Sequence, residues 1–149
     1  MKKILLLLTI ILMAFGNASA FVDSYTIDRD KLPAEAKDML SEHFPKSKIS
    51  MIKVDRAILK KTEYEVKLVN GTVIRFANSG KWKSVDCKKR ELPAALLPKT
   101  VARHIEKNFP EAKVTSVTKK NGGYEVAHAD ETLHRYDLLG IYKGQQPAD

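Results

Sequence analysis

Twice along the chain the apolar positions change from helical spacing to strand spacing. Ala36, Leu40 and Phe44 recur at helical intervals behind Leu32-Pro33, and Val101, Ile105 and Phe109 do so behind Leu97-Pro98. Pro33 and Pro98 fall where a first helical turn tolerates a missing N–H. Pro45 and Pro110 push the preceding residue out of helical geometry and stop each helix. A first strand follows, around Lys48 to Val54 and around Lys113 to Thr118, with a register that alternation alone leaves undefined.

The next three strands can be registered. Tyr64, Val66, Leu68, Ile74 and Phe76 share one face only if Leu68 pairs with Thr72, which leaves Val69-Asn70-Gly71 as a three-residue loop with glycine in the left-handed position. The same logic at Asn78-Ser79-Gly80 pairs Phe76 with Trp82. Tyr64, Phe76 and Trp82 then form a cross-strand aromatic row, and a shift of 60 positions gives Tyr124, Tyr136 and Tyr142. Aromatic rows that face an amphipathic helix are core, because aromatics bury the most area per residue; a stacking platform for a ligand is the alternative. The opposite face carries Glu65, Arg75 and Lys83, and again Glu125, Arg135 and Lys143. A one-residue slip would move every member to the wrong face.

These correspondences predict two copies of one supersecondary unit. The offset is 65 positions through the helices and first strands and 60 thereafter, so the first copy carries five extra residues in the loop between them. The expected organisation is a leader at 1–20, an N-terminal segment at 21–31, repeat 1 at 32–86, a connection at 87–96 and repeat 2 at 97–149. Phe21, Val22, Tyr25 and Ile27 suggest that the N-terminal segment pairs or packs.

Lys2-Lys3, an apolar run from Ile4 to Phe15 and Ala18-Ser19-Ala20 have the order of a signal peptide cleaved near Ala20. The run is shorter than the roughly 20 residues a membrane span needs. The expected location is therefore the periplasm or the exterior, with no membrane span. Removing the leader lowers the formal charge from +8 by its two lysines. A basic exported protein meets acidic surfaces, including acidic proteins and anionic polymers, and its compartment argues against nucleic acid. One cysteine, Cys87, cannot form an internal disulfide. It reads as a buried thiol, or as a reactive one whose pKa Lys88, Lys89 and Arg90 lower.

The charged rows have two readings. One is a solvated face stitched by cross-strand ion pairs worth roughly a few tenths of a kcal/mol each. The other notes that Val73, Leu133, Ala127 and Ala129 should share that face, so that Lys67, Val73, Arg75, Lys83, Leu133, Arg135 and Lys143 would form a partner-binding surface. The lysine pairs at 60–61 and 119–120 read as solvated loop charge. Gly122-Gly123 is a turn, since no lysine-serine or helix start follows as a phosphate loop requires. His128 and His134 lie on one face of the second hairpin, close enough to meet diagonally. Two imidazoles are fewer than the three protein ligands of a typical catalytic zinc site, and a structural role is expected. No nucleophile elbow, cysteine-ligand pair or nucleotide fingerprint is present. The reading calls for no enzyme and no cofactor.

The order Leu32-Pro33, amphipathic helix, Phe44-Pro45, strand, Tyr64-Glu65-Val66, Asn70-Gly71, Phe76, Gly80 and Trp82 resembles the exported PepSY-like domains, also called β-lactamase-inhibitor-protein-like. Leu97-Pro98, Phe109-Pro110, Tyr124-Glu125-Val126, Tyr136 and Gly140 echo it. The resemblance implies an α+β fold of two tandem units, each a helix on a four-stranded antiparallel sheet, with the sheets forming one curved surface. It also implies a non-enzymatic binding role toward a protein partner. A small-ligand, metal or anionic-glycan binding protein is the alternative. The chain departs from the inhibitors in having no disulfide and in placing Val69-Asn70-Gly71, without an acidic residue, in the first hairpin loop; Asp130 and Glu131 stand in the second.

Overall fold

The computed structural model describes residues 23–56 and 60–147. The expected leader at 1–20 and Phe21 and Val22 of the N-terminal segment lie outside the described residues. The fold is α+β: nine strands form a single antiparallel sheet in which every strand is hydrogen-bonded to its neighbours in sequence. Strand β1 (Ser24–Thr26) lies at one edge, followed by helix α1 (Ala34–His43) and strands β2 (Ile49–Asp55), β3 (Glu63–Leu68), β4 (Val73–Phe76) and β5 (Trp82–Asp86). Helix α2 (Lys99–Asn108) then precedes β6 (Val114–Lys120), β7 (Gly123–His128), β8 (Thr132–Asp137) and β9 (Tyr142–Pro147) at the other edge.

The helices end as the prolines dictate. Pro33 and Pro98 are the N-caps, and their carbonyls accept from Lys37 and Ala102 N–H. Phe44 and Phe109 leave helical geometry just before the next proline, each still donating its N–H to the carbonyl four residues back. Ala36, Met39 and Leu40 of α1 and Val101 and Ile105 of α2 are buried in one core cluster with the inward side chains of the sheet. Ile52, Val66, Ile74, Phe76, Val85, Val117 and Val126 within it are completely inaccessible. The alternation of large apolar and polar positions is thus satisfied by covering only one face of the sheet.

The expected pairings are observed. Leu68 N–H donates to Thr72 O, Tyr64 pairs with Phe76, Phe76 with Trp82, Tyr124 with Tyr136 and Tyr136 with Tyr142. Phe76 and Tyr136, central in the two aromatic rows, are buried, and their flanking partners are half-buried. The first strand of each four has a bulge, Ser50 in β2 and Thr115 in β6. An extra residue reverses the alternation part-way along, which explains why these two strands had no legible register.

A second pair of bulges changes one expectation. Ser84, not Lys83, stands opposite Arg75, and Gly144, not Lys143, stands opposite Arg135. The N-terminal segment contributes β1, which pairs antiparallel with β2 as a ninth strand. The two sets of four strands meet at β5 and β6, where Ser84, Val85 and Asp86 pair with Thr118, Val117 and Ser116.

Candidate functional site

The sheet face turned away from the helices is open and is organised in rows that the register fixes. One row crosses eight strands as Lys53, Glu65, Arg75, Ser84, Thr118, Glu125, Arg135 and Gly144. The next runs Met51, Lys67, Val73, Asp86, Ser116, Ala127, Leu133 and Gln146. Val73 and Leu133 therefore share a row, with Asp86, Ser116 and Ala127 between them. Ala129 lies beyond the end of β7, exposed in the turn to β8.

Arg75 and Arg135 stand four strands apart, which at the usual strand spacing is about 19 Å. Each grips the glutamate beside it, Arg75 Nε to Glu65 at 2.9 Å and Arg135 Nε to Glu125 at 3.5 Å. Lys83 and Lys143 reach acids despite the bulges, Lys83 Nζ to Glu63 at 2.6 Å and Lys143 Nζ to Asp137 at 3.1 Å. Both arginines stand proud of their partners. Arg75 and Arg135 side chains are 60% and 52% exposed, against 31% and 22% for Glu65 and Glu125. The face consequently presents positive charge outward. Between the arginines the row holds Ser84 and Thr118 before Glu125, and Ser116 stands beside them in the next row between Asp86 and Ala127. Sequence reading missed this centre; its signal was the run of small hydroxyl residues at outward positions of two neighbouring strands, Ser84 on β5 and Ser116 and Thr118 on β6.

Two clefts open at corresponding places on this face. One, of about 280 Å³, is lined by Lys120, Glu125, Arg135, Asp137 and Lys143 beside the Gly122-Gly123 turn. The other, of about 80 Å³, is lined by Lys53, Asp55, Glu63, Tyr64, Glu65 and Arg75. Asp137 is held below the ordinary carboxylate range, first by the N–H of Ile141 and also by Lys143, so it carries charge in the larger cleft.

The histidines are elsewhere, on the covered face. His128 Nε2 and His134 Nδ1 are 3.0 Å apart, and both rings are buried. Phe109 from α2 packs on His134, and His104 stacks on Tyr142 while its Nδ1 lies 3.1 Å from the Tyr136 hydroxyl. Burial, reinforced by the neighbouring His134, lowers His128 to about 4; burial also lowers His134. At neutral pH one ring donates and the other accepts. Burial pushes Tyr136 up to about 12. Among the described residues no three His, Cys, Asp or Glu side chains converge to hold a metal ion. Cys87 is a free, buried thiol that burial raises above its ordinary pKa, which removes the thiolate that reactivity requires.

Fold and surface together define a sheet module with one face closed by two helices and the other open, cationic and ion-paired. The chain belongs to the family described as "Putative beta-lactamase-inhibitor-like, PepSY-like", whose model matches residues 21–70 and again 62–141. It is similar to a "putative periplasmic protein of unknown function" from Bacteroides vulgatus, with 27% identity, a TM-score of 0.80, and coverage of 84% of this chain and 99% of that one. It is also similar to a "putative calcium-regulated periplasmic protein" from Bacteroides thetaiotaomicron, with 28% identity, a TM-score of 0.78, and coverage of 83% and 96%. A second periplasmic protein of Bacteroides vulgatus, also described as putative, aligns at 25% identity and a TM-score of 0.76, covering 87% of this chain and 99% of that one. Among curated proteins none matches the chain.

Proposed function

We propose that the protein is a periplasmic, non-enzymatic binding module built from a duplicated unit of one helix and four strands, and that it engages a protein partner through the open face of its sheet. The observation that carries this reading is the outward charge: in the two central pairs the arginine is about twice as exposed as the glutamate that holds it. Such a pair contributes little to folding stability. It does hold a cation in a defined position for an acidic partner, where charge complementarity sets encounter rate and register. Lys67, Val73, Arg75, Lys83, Leu133, Arg135 and Lys143 form the proposed contact surface, with Ser84, Ser116 and Thr118 at its centre. The leader-like N-terminus and the periplasmic descriptions of the similar structures support the compartment.

Capture from an envelope extract tests the reading. The full chain, matured by its host, is immobilised beside Arg75→Glu/Arg135→Glu. A single protein retained at moderate salt by the first and lost from the second supports the surface; equal retention by both excludes it.

The larger cleft favours a second reading, an anionic-glycan or other small anionic ligand, because Lys120, Arg135 and Lys143 converge there. Thermal shifts with a panel of acidic oligosaccharides decide it: a rise in Tm lost in Lys120→Gln/Lys143→Gln supports this reading, and no rise with any of them rejects it.

A further inference from the structure

Two turns of the fold share one backbone and differ in chemistry. In the turn between β4 and β5, Ala77 N–H donates to Lys81 O and Gly80 N–H to Ala77 O. In the turn between β8 and β9, Asp137 N–H donates to Ile141 O and Gly140 N–H to Asp137 O. Gly80 and Gly140 both have positive φ, at 91° and 79°. The first turn carries Asn78, Ser79 and Lys81. The second carries Leu138, Leu139 and Ile141, which are 65%, 74% and 54% exposed. Three of the six exposed large apolar side chains among the described residues are in this single turn. Turn geometry does not require them there, since the same geometry forms with polar residues 60 positions earlier.

The apolar turn is also the more firmly held. The Asp137 carboxylate accepts from Leu139 N–H at 3.0 Å and Ile141 N–H at 2.9 Å, and Thr100 Oγ1 donates to Leu139 O at 3.2 Å. Ala77, at the corresponding place, has no side chain that could do this. The aliphatic side chains are therefore displayed on a fixed, convex tip.

The surroundings are basic. The register places Lys120 opposite Gly123 and Gly123 opposite Asp137, so the turn from β6 to β7 lies beside the apolar tip. Lys99 begins α2 next to Thr100, and Lys81 stands in the turn at the same end of the sheet, where Lys119 also caps the Trp82 ring. Lys81, Lys99 and Lys120 are exposed. Of the acids at this end, Asp137 is engaged by two N–H groups and Lys143, Glu125 pairs with Lys120 at 3.3 Å, and Glu35 is exposed near Lys119.

We propose that the turn at 138–141 is a membrane-contact tip that inserts its aliphatic side chains at the surface of an anionic phospholipid bilayer while Lys81, Lys99 and Lys120 meet the headgroups. Interfacial binding combines apolar burial with attraction of lysines to anionic lipid. Lysine suits the rim because its long stem lies on apolar surface with the ammonium in water. The composition is unlike that of a protein hot spot, where Trp, Tyr and Arg dominate and Leu is under-represented. The tip lies at an end of the sheet and the proposed partner surface on its face.

Co-sedimentation with vesicles tests the proposal, using the full chain as its host matures it. Vesicles of phosphatidylcholine alone are compared with equal parts phosphatidylglycerol and phosphatidylcholine, at low and moderate salt. The comparison variant is Leu138→Asn/Leu139→Ser/Ile141→Gln, which keeps Asp137 and Gly140, leaves the charge unchanged and adopts at two positions what the matching turn contains. Its melting curve reports whether it folds. The expected result is salt-sensitive binding to the anionic vesicles only, weakened at least about tenfold in the variant. No binding by the unaltered protein, or equal binding by a folded variant, overturns the proposal. So does equal binding to both lipid compositions. Sedimentation without lipid supplies a further arm: a dimer that dissociates in the variant assigns the tip to a second copy of the chain and overturns the membrane reading. If the triple variant fails to fold, Leu139→Ser alone takes its place, with the same outcomes read at a smaller fold-change.

Discussion

Acid should loosen this protein through its buried histidine pair before it acts through the carboxylates. His128 and His134 are 3% and 2% exposed, with Nε2 and Nδ1 3.0 Å apart. Phe109, Tyr136, Tyr142 and His104 crowd the pair, Asp130 is the neighbouring carboxylate, and Gln145 supplies a side-chain hydrogen bond to His134. Burial lowers His128 from 6.5 to about 4, so the folded protein stays neutral there while the unfolded chain takes up a proton. Stability attached to this group is complete above pH 6.5 and is lost as the pH falls toward 4. At pH 4.5 the loss from His128 alone is about 2.5 kcal/mol. Asp130 and Asp137 are both lowered from 3.8, Asp130 chiefly by Thr132. Their stabilising contributions fade as the pH falls through their own, lower values, so they leave the window above pH 4.5 largely to the histidines. For a domain of this length the loss corresponds to a fall in Tm of about 10 °C. Melting curves followed by circular dichroism at pH 7.5 and 4.5 measure it. His128→Leu/His134→Leu removes both titrating groups together, so neither imidazole is left without the other and only the exposed Gln145 loses a partner, and should reduce the fall to a few degrees. An equal fall in the two proteins would refute the reasoning.

Two further predictions follow from packing. Gly140→Ala would set a Cβ 2.0 Å from Thr100 Oγ1 at a φ of +79°, so it should destabilise by more than about 1 kcal/mol, measured by urea denaturation. Gly71→Ala, with the same sign of φ and open space around it, should cost less. Cys87 is 2% exposed, so a thiol reagent at pH 8 should leave the native protein unmodified and label it fully in denaturant; fast native labelling would show that this core opens.

Much of this architecture was legible because glycine turns and alternation constrain each other. Asn70-Gly71 and Ser79-Gly80 fixed loop lengths, and those lengths admitted only the register that places Tyr64, Phe76 and Trp82 in a row. The approach of His128 to His134 followed from the same register. Bulges were the main obstacle. Ser50 and Thr115 hide the registers of β2 and β6, and the bulges at Lys83 and Lys143 put Ser84 and Gly144 opposite the arginines. β1 was hard to read because three residues carry too little alternation to declare a strand. The continuous sheet depends on β5 joining β6, a contact between distant segments that no local pattern records. Leu138-Leu139 and Ile141 were invisible as a surface feature, since an apolar stretch beside a strand reads as more strand until the turn is seen.

Lysine acylation in intact cells, compared with the purified protein, tests the proposed binding face most directly. Lys67, Lys83 and Lys143 lie on that face, while Lys37 and Lys107 lie on the helices at the back. Partner binding through the sheet predicts that the first three are protected in the cell and that Lys37 and Lys107 are labelled as in the purified protein. Equal labelling of Lys67, Lys83 and Lys143 in both settings would contradict it.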